Sequence, residues 1–253
     1  MEQTRKNNGH PDYQVIDLTK VKVSCASCNL AELCLPRGMG KAALVKLEKI
    51  IKRASPLQKG EYLFRGGDPF NGIYAVRSGL LKVYANADCG DEQIIGFYLP
   101  GEILGLDAIE NEVHTCFAVT LETSSYCMIP FADLSTICKK IPELQIQLFK
   151  IMSRELTNEN RMLLTLGKKN AEEKVATFLL SISSRYALLG YSPNDFKLTM
   201  SRQEIGNYLG VTFETVSRIF SRFQRDRIIK INKKFVHVRD MDALKQIVSV
   251  SSG

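Results

Sequence analysis

Apolar positions along the chain fall into two textures, helical at both flanks and turn-cut in between. From Lys41 to Arg53, Leu44, Leu47, Ile50 and Ile51 recur at helical spacing and predict a helix. From Pro56 to Pro130 short apolar or alternating runs are cut by Lys59-Gly60, Gly66-Gly67-Asp68, Arg77-Ser78-Gly79, Cys89-Gly90-Asp91 and Pro100-Gly101. Such spacing predicts an antiparallel sandwich or barrel. Gly72–Val76 and Leu80–Tyr84 flank one of these turns and predict a hairpin. A long helical pattern follows from Pro142 to Gly167. Its stripe Phe149, Met152, Leu156, Glu159, Leu163, Leu166 advances by threes and fours, the a/d spacing of a coiled coil. Leu144, Leu148 and Ile151 form a second apolar face. Two such faces make sense if one packs on the β-domain and the other on a second subunit.

Asn170 is a predicted N-cap, with Glu172 and Glu173 in the first turn, where they favour the helix dipole, and Gly190-Tyr191-Ser192-Pro193 ends that helix. Residues 202–221 fit a helix-turn-helix. Ser201 and Glu204 form an S-x-x-E capping box. Ile205, Leu209, Val211, Val216 and Ile219 supply its small core, Gly206 admits the second helix, Gly210 makes the turn and Thr212 caps the second helix. Glu214, Ser217 and Arg218 share one face near that helix's N-terminus, the part that meets base edges in the major groove. Arg218 suits guanine O6/N7, Glu214 cytosine N4, and Ser217 is adaptable. Arg222, Arg225 and Arg227 read as phosphate contacts or solvated charge. Ile228–Ile231, Asn232-Lys233-Lys234 and Phe235–Val238 read as a hairpin wing.

Charge sharpens this picture. Residues 1–167 carry 19 Lys+Arg against 19 Asp+Glu, whereas residues 168–253 carry 15 against 8, so the net +7 lies in the last third. That asymmetry points to a polyanion partner for one domain, double-stranded DNA given the motif. The first residues lack an apolar signal region and no run approaches 18 apolar residues, so a cytoplasmic protein with no membrane partner is expected. Residues 1–20 read as weakly ordered. No nucleophile–base set, phosphate-cradling loop or catalytic carboxylate pair is visible, and an enzyme is not expected.

Three of the seven cysteines crowd into Cys25-x2-Cys28-x5-Cys34. In a reducing compartment such a cluster holds a metal centre rather than a disulfide framework. The three histidines, His10, His114 and His237, sit at no zinc-pair spacing. A three-thiol loop plus one distant cysteine suits a four-thiolate iron–sulfur cluster. The fourth ligand could be Cys89, Cys116, Cys127 or Cys138, and spacing does not choose among them. A zinc-stabilised DNA-binding protein is the alternative.

The chain resembles the cyclic-AMP receptor/FNR superfamily, and within it the FNR group of oxygen-sensing fumarate and nitrate reductase regulators. The resemblance rests on the thiol loop and on Gly90-Asp-Glu-Gln-Ile-Ile-Gly-Phe97. It rests also on Glu122-Thr-Ser-Ser-Tyr-Cys127-Met-Ile-Pro-Phe131, Lys168-Lys-Asn-Ala-Glu-Glu173 and Ile205-Gly-Asn-Tyr-Leu-Gly-Val-Thr-Phe-Glu-Thr-Val-Ser-Arg218. It implies a [4Fe–4S] cluster on Cys25, Cys28, Cys34 and Cys127, with no role for Cys89, Cys116 or Cys138. It implies base reading by Glu214, Ser217 and Arg218, a homodimer on a palindromic operator in the absence of oxygen, and loss of both when oxygen converts the cluster. It implies RNA polymerase as a further partner, with the loop Asp88–Glu92 as one contact. Phe213 departs from a smaller aliphatic residue in the family pattern, and Asn29 from a serine. The phosphate-holding Arg of cyclic-nucleotide-binding relatives is missing between Gly101-Glu102 and Phe117, which argues against a cyclic nucleotide and leaves a same-fold regulator gated by another effector as the runner-up.

The expected fold is therefore α+β. An N-terminal iron–sulfur ligand segment (1–40) precedes an antiparallel, cyclic-nucleotide-binding-like β-roll sensor domain (41–141). A long dimerisation helix (142–168) and a C-terminal winged helix-turn-helix domain (169–253) follow. Glu159 interrupts the apolar stripe, and in a parallel pair two such carboxylates would oppose association.

Overall fold

The computed structural model describes Cys25 and residues 28–31, 33–34, 36–86 and 90–249, with backbone alone for 133–135 and 137. The expectations for residues 1–20, Asp88 and Cys89 lie outside the described residues.

Helix α1 (Lys41–Glu48) covers only the first part of the predicted helix. The N–H groups of Ile50 and Ile51 both turn back to Leu47 O, and the chain enters strand β1 (Lys52–Arg53). The β-branched pair Ile50-Ile51 favours this exit over another helical turn. Seven strands follow: β2 (Tyr62–Phe64), β3 (Gly72–Ser78), β4 (Leu81–Asn86), β5 (Glu92–Tyr98), β6 (Ile103–Leu104), β7 (Phe117–Thr120) and β8 (Ser125–Pro130). They form two antiparallel sheets, β1-β8-β3-β6 and β2-β7-β4-β5.

The predicted hairpin over Gly72–Val76 and Leu80–Tyr84 is not one. β3 pairs with β8 and β6, whereas β4 pairs with β5 and β7 in the other sheet. The turn between them is pinned from outside. Gly79 has φ +87°, and a Cβ there would lie 2.2 Å from Ser124 Oγ. Leu80 N–H donates to that same Oγ at 3.2 Å. So anchored, the chain crosses between sheets instead of folding back. β3 is covered on both faces: Ile73 and Ala75 join a core with Leu47 of α1, while Tyr74 and Val76 face Leu81, Val83 and Ala118 between the sheets.

After α2 (Phe131–Lys140), helix α3 (Pro142–Lys168) matches the predicted long helix. Leu144, Leu148 and Ile151 are buried in the core that holds Leu47 and Met39. On the opposite side Phe149, Leu156 and Leu163 are 61, 62 and 68% exposed, with Met152 and Glu159 also exposed. Leu166, at the end of the stripe, is half-buried.

Helix α4 (Ala171–Leu188) opens on the predicted N-cap Asn170, which goes further than expected and closes a capping box with Glu173. Strand β9 (Asp195–Lys197), α5 (Arg202–Leu209), α6 (Phe213–Arg225), β10 (Ile229–Asn232), β11 (Phe235–Val238) and α7 (Met241–Ser249) complete the chain. The wing is a three-stranded sheet, β10-β11-β9, one strand more than the predicted hairpin. Tyr84, Ile94 and Phe97 of the second sheet, with Leu80 and Leu99 beside it, share one core with Phe178, Leu179 and the helix-turn-helix residues, so the C-terminal domain packs on the β-roll. Polar contacts fix the seam: Ile94 N–H donates to Asn207 Oδ1 at 2.6 Å, and Asn207 Nδ2 donates to Glu92 O at 2.7 Å.

Candidate metal centre and nucleic-acid interface

The cysteine loop is a run of tight turns. Cys28 N–H reaches Cys25 O, Ala31 N–H reaches Cys28 O and Cys34 N–H reaches Leu30 O. It lies on the β-roll at defined points. Cys25 N–H donates to Glu48 Oε2 at 2.7 Å. Leu33 rests on the Gly101 turn so closely that a Cβ at Gly101 would sit 2.9 Å from Leu33 Cβ. Met39, at the loop's exit, is buried beside Leu144 and Leu148 of α3. The fourth thiol comes from β8, where Cys127 stands opposite Arg53 of β1 and Ala75 of β3.

Cys25, Cys28, Cys34 and Cys127 line one cavity of about 40 Å³, closed by apolar side chains such as Ile51, Ala75 and Ile129. No histidine or carboxylate lines it. Burial, reinforced by Glu48, pushes the Cys25 thiol up to about 12. Burial also raises Cys127, with Arg53 and Arg77 pulling in the other direction. Both sulfurs thus hold their protons unless a cation compensates, and thiolate is the form that binds metal. Four soft donors around an apolar space fit a thiolate-held centre. Among the described residues no three His, Cys, Asp or Glu side chains converge tightly enough to grip a single metal ion. The sulfurs surround a space rather than a point. Cys116 lies between the sheets and Cys138 on α2, neither lining this cavity.

Glu48 and Arg53 were not singled out by sequence reasoning. Arg53 donates to both carboxylate oxygens of Glu48, at 2.7 and 3.1 Å, and holds that carboxyl down at about 2. Charges five residues apart across a helix end carry no motif, so only the fold reveals the pair.

The helix-turn-helix is built as its pattern predicts. Ser201 Oγ accepts from Glu204 N–H, and the Glu204 carboxylate accepts from Ser201 N–H, closing the box. Gly210 turns at φ +62°, and Val211 N–H returns to Gly206 O at 2.9 Å. A Cβ at Gly206 would lie 2.6 Å from Val211 O, so the glycine there makes room for the turn. Thr212 Oγ1 accepts from Thr215 N–H and starts α6. Val216, Ile219, Phe220 and Phe223 point inward, leaving Glu214 and Arg218 exposed and Ser217 half-buried. Phe213, at the first position of α6, is 50% exposed beside them. Arg222 is already engaged, bonded to Glu172 at 2.9 Å and near Asp226, and Arg225 also leans on Asp226. The Arg202 guanidinium sits 3.8 Å over the Phe220 ring, and burial lowers it to about 10. This cation–π contact joins the start of α5 to α6.

Two family models match the chain. Residues 55–141 match the cyclic nucleotide-binding domain family and residues 173–247 the Crp-like helix-turn-helix domain family. The transcriptional activator protein Anr of Pseudomonas protegens is 49% identical over 216 residues, covering 85% of this chain and 88% of that protein. The fumarate and nitrate reduction regulatory protein of Escherichia coli K12 is 44% identical over 225 residues, covering 89% of this chain and 90% of that protein. The solved structure of FixK2 from Bradyrhizobium japonicum superposes with a TM-score of 0.71 at 28% identity, covering 78% of this chain and 97% of that one. With a nucleotide-binding-type roll, a Crp-like DNA-reading module and relatives at this identity over most of its length, the chain belongs to the Crp/Fnr family of DNA-binding transcription regulators.

Proposed function

We propose that this regulator senses oxygen through an iron–sulfur centre of [4Fe–4S] type held by Cys25, Cys28, Cys34 and Cys127, and that it binds a palindromic operator as a homodimer when oxygen is absent. The observation that carries this reading is the shared cavity, in which a loop with three thiols faces the β8 thiol across apolar walls. When bound, the centre supplies an oxygen-labile cross-link between loop and roll. The chain's own residues do the rest. Met39, held with Leu144 and Leu148, ties loop order to the first turns of α3. The exposed Phe149, Met152, Leu156, Leu163 stripe, with half-buried Leu166, offers the seam for the second subunit. Two α6 helices then present Glu214, Ser217 and Arg218 to successive major grooves, matching a two-fold symmetric site.

A cyclic nucleotide is not part of this reading. Glu102 of the Gly101-Glu102 turn accepts from Arg185 of α4, so a carboxylate in the nucleotide-binding-type roll is engaged by the chain itself. RNA polymerase is the further partner, met on the activator's surface once DNA is bound. The setting is the cytoplasm, and no helix among the described residues is long and apolar enough to cross a membrane. Purification without oxygen tests the proposal. The expected protein is coloured, carries iron and sulfide in equal amounts, and binds its operator; air bleaches it and releases DNA. A colourless, iron-free or zinc-loaded anaerobic protein that binds equally well in air overturns it.

A further inference from the structure

Glu48 closes α1 and is hydrogen-bonded on both sides. It accepts from the Cys25 backbone N–H at 2.7 Å and from Arg53 Nη1 and Nη2 at 2.7 and 3.1 Å. Arg53 is the cross-strand neighbour of Cys127, and its Nε is buried with no hydrogen-bond partner among the described residues. One ion pair therefore links the backbone of the first thiol residue to the strand neighbour of the fourth. The two ends of the ligand set belong to segments far apart in the chain, and this pair spans the gap between them.

We propose that Glu48 and Arg53 are positioning residues for the thiol centre. Glu48 registers the Cys25–Cys34 loop on the roll, and Arg53 lays a fixed positive charge beside Cys127. The first half needs no bound centre. The second rests on the iron–sulfur reading given above. A short charge-assisted bond to a backbone N–H fixes one end of a loop that also carries local turns. Thiolates gathered in a mostly apolar cavity, with Arg77 the one charged side chain on its wall among the described residues, meet little solvation, so the neighbouring Arg53 guanidinium and Glu48 carboxylate act on them strongly and with opposite sign.

Two measurements test this. In metal-free, reduced protein, alkylation of each cysteine by iodoacetamide is followed by mass spectrometry. Glu48→Ala should speed Cys25 labelling roughly tenfold, the loss expected for one charge-assisted hydrogen bond. Cys116, buried between the sheets, should stay protected and report that the roll is folded. If Cys116 is exposed too, Glu48→Gln and Arg53→Lys are used, and the faster labelling should then follow the loss of the Glu48–Arg53 pairing in Glu48→Gln and not appear in Arg53→Lys. In cluster-loaded anaerobic protein the midpoint potential is measured. Arg53→Gln removes a positive charge and should move it to more negative values. Glu48→Gln removes a negative charge and should move it the other way, and Arg53→Lys should leave it near the parent. Unchanged Cys25 labelling overturns the tether, and shifts of the same sign overturn the electrostatic role. A parent protein that takes up no iron overturns the proposed function and this electrostatic half with it, while the labelling experiment still decides the tether.

Discussion

Arg185 of α4 clasps Glu102 of the β-roll with two prongs, Nε to Oε1 at 2.7 Å and Nη2 to Oε2 at 2.5 Å. The same guanidinium donates to Phe97 O. Glu102 follows Gly101, the residue on which Leu33 of the cysteine loop rests. A continuous line of packed and bonded groups thus joins the thiol loop to the DNA-binding half.

If this clasp holds the two halves in register, Arg185→Gln and Glu102→Gln should each lower stability. The double variant should lose less than the sum of the two. The pair is partly open to solvent, with side chains 23 and 33% exposed, so a coupling of about 1–2 kcal/mol is expected rather than that of a sealed ion pair. Calorimetry of the four proteins measures it. Additive losses show that the clasp carries no coupling.

Glu155 of α3 stands in the opposite condition. Burial raises its carboxyl above the ordinary value of 4.5, and the charges of Glu102 and Glu159 add to the effect. Its ionised form is penalised in the fold. The stability it contributes is full below the unfolded value and declines as pH rises through the raised one. Glu155→Gln should therefore raise Tm by a few degrees near neutrality, and the advantage should shrink as the pH falls through the raised value and be gone once it reaches 4.5. Melting curves across pH decide it, and an advantage that grows in acid contradicts the burial argument.

Much of this arrangement was legible in the chain, and the reasons are local. The Asn170 cap, the capping box at Ser201/Glu204, the Gly210 turn and the Thr212 cap are short-range hydrogen-bonding devices whose partners lie within three or four residues. They could be read without a fold. The stripe and counter-stripe of α3 followed from helical periodicity alone. What escaped depends on partners distant in sequence. Gly79 looks like a hairpin turn until Ser124 is seen beside it. The third wing strand Asp195–Lys197 is too short for a period and exists through its pairing with Phe235–His237. Cys127 could not be chosen from four cysteines by spacing; the β1–β8 register brings it to the loop. Arg222 is exposed as expected, but its bond to Glu172 on another helix could not be read from the chain.

The cavity yields a selective cysteine prediction. Cys127→Ser should abolish the visible charge-transfer absorption of anaerobic protein, whereas Cys116→Ser and Cys138→Ser should keep it, since neither residue lines the space. Iron and sulfide counts on the three variants provide the check. A full centre in the Cys127 variant moves the fourth ligand elsewhere.

On the proposed dimer seam of α3, Glu159 is expected to act as a brake. Glu159 is exposed within a row that includes Leu156 and Leu163, 62 and 68% exposed. In a parallel pair the two carboxylates approach each other while losing water, which opposes association. Glu159→Ala should shift metal-free protein toward dimer, and Leu163→Glu should hold even cluster-loaded protein monomeric. Sedimentation gives both answers directly. A Glu159→Ala protein that stays wholly monomeric without metal rejects the brake.

The recognition helix permits a prediction at the level of single bases. Arg218 is exposed and, unlike Arg222, has no charged partner among the described residues, so its guanidinium can pair with guanine in two places at once. Arg218→Ala should weaken discrimination at one base pair per half-site by about 1–3 kcal/mol, while leaving the salt dependence of binding nearly unchanged. Phe213 stands half-exposed at the first position of α6, where an aromatic edge meets a thymine methyl more readily than a polar base edge. Phe213→Ser should relax preference at an adjoining position without touching the guanine contact. Binding to a set of operators with every single-base change separates the two effects. If the losses fall evenly over all positions, both side chains act on the phosphate backbone and the proposed base reading is wrong.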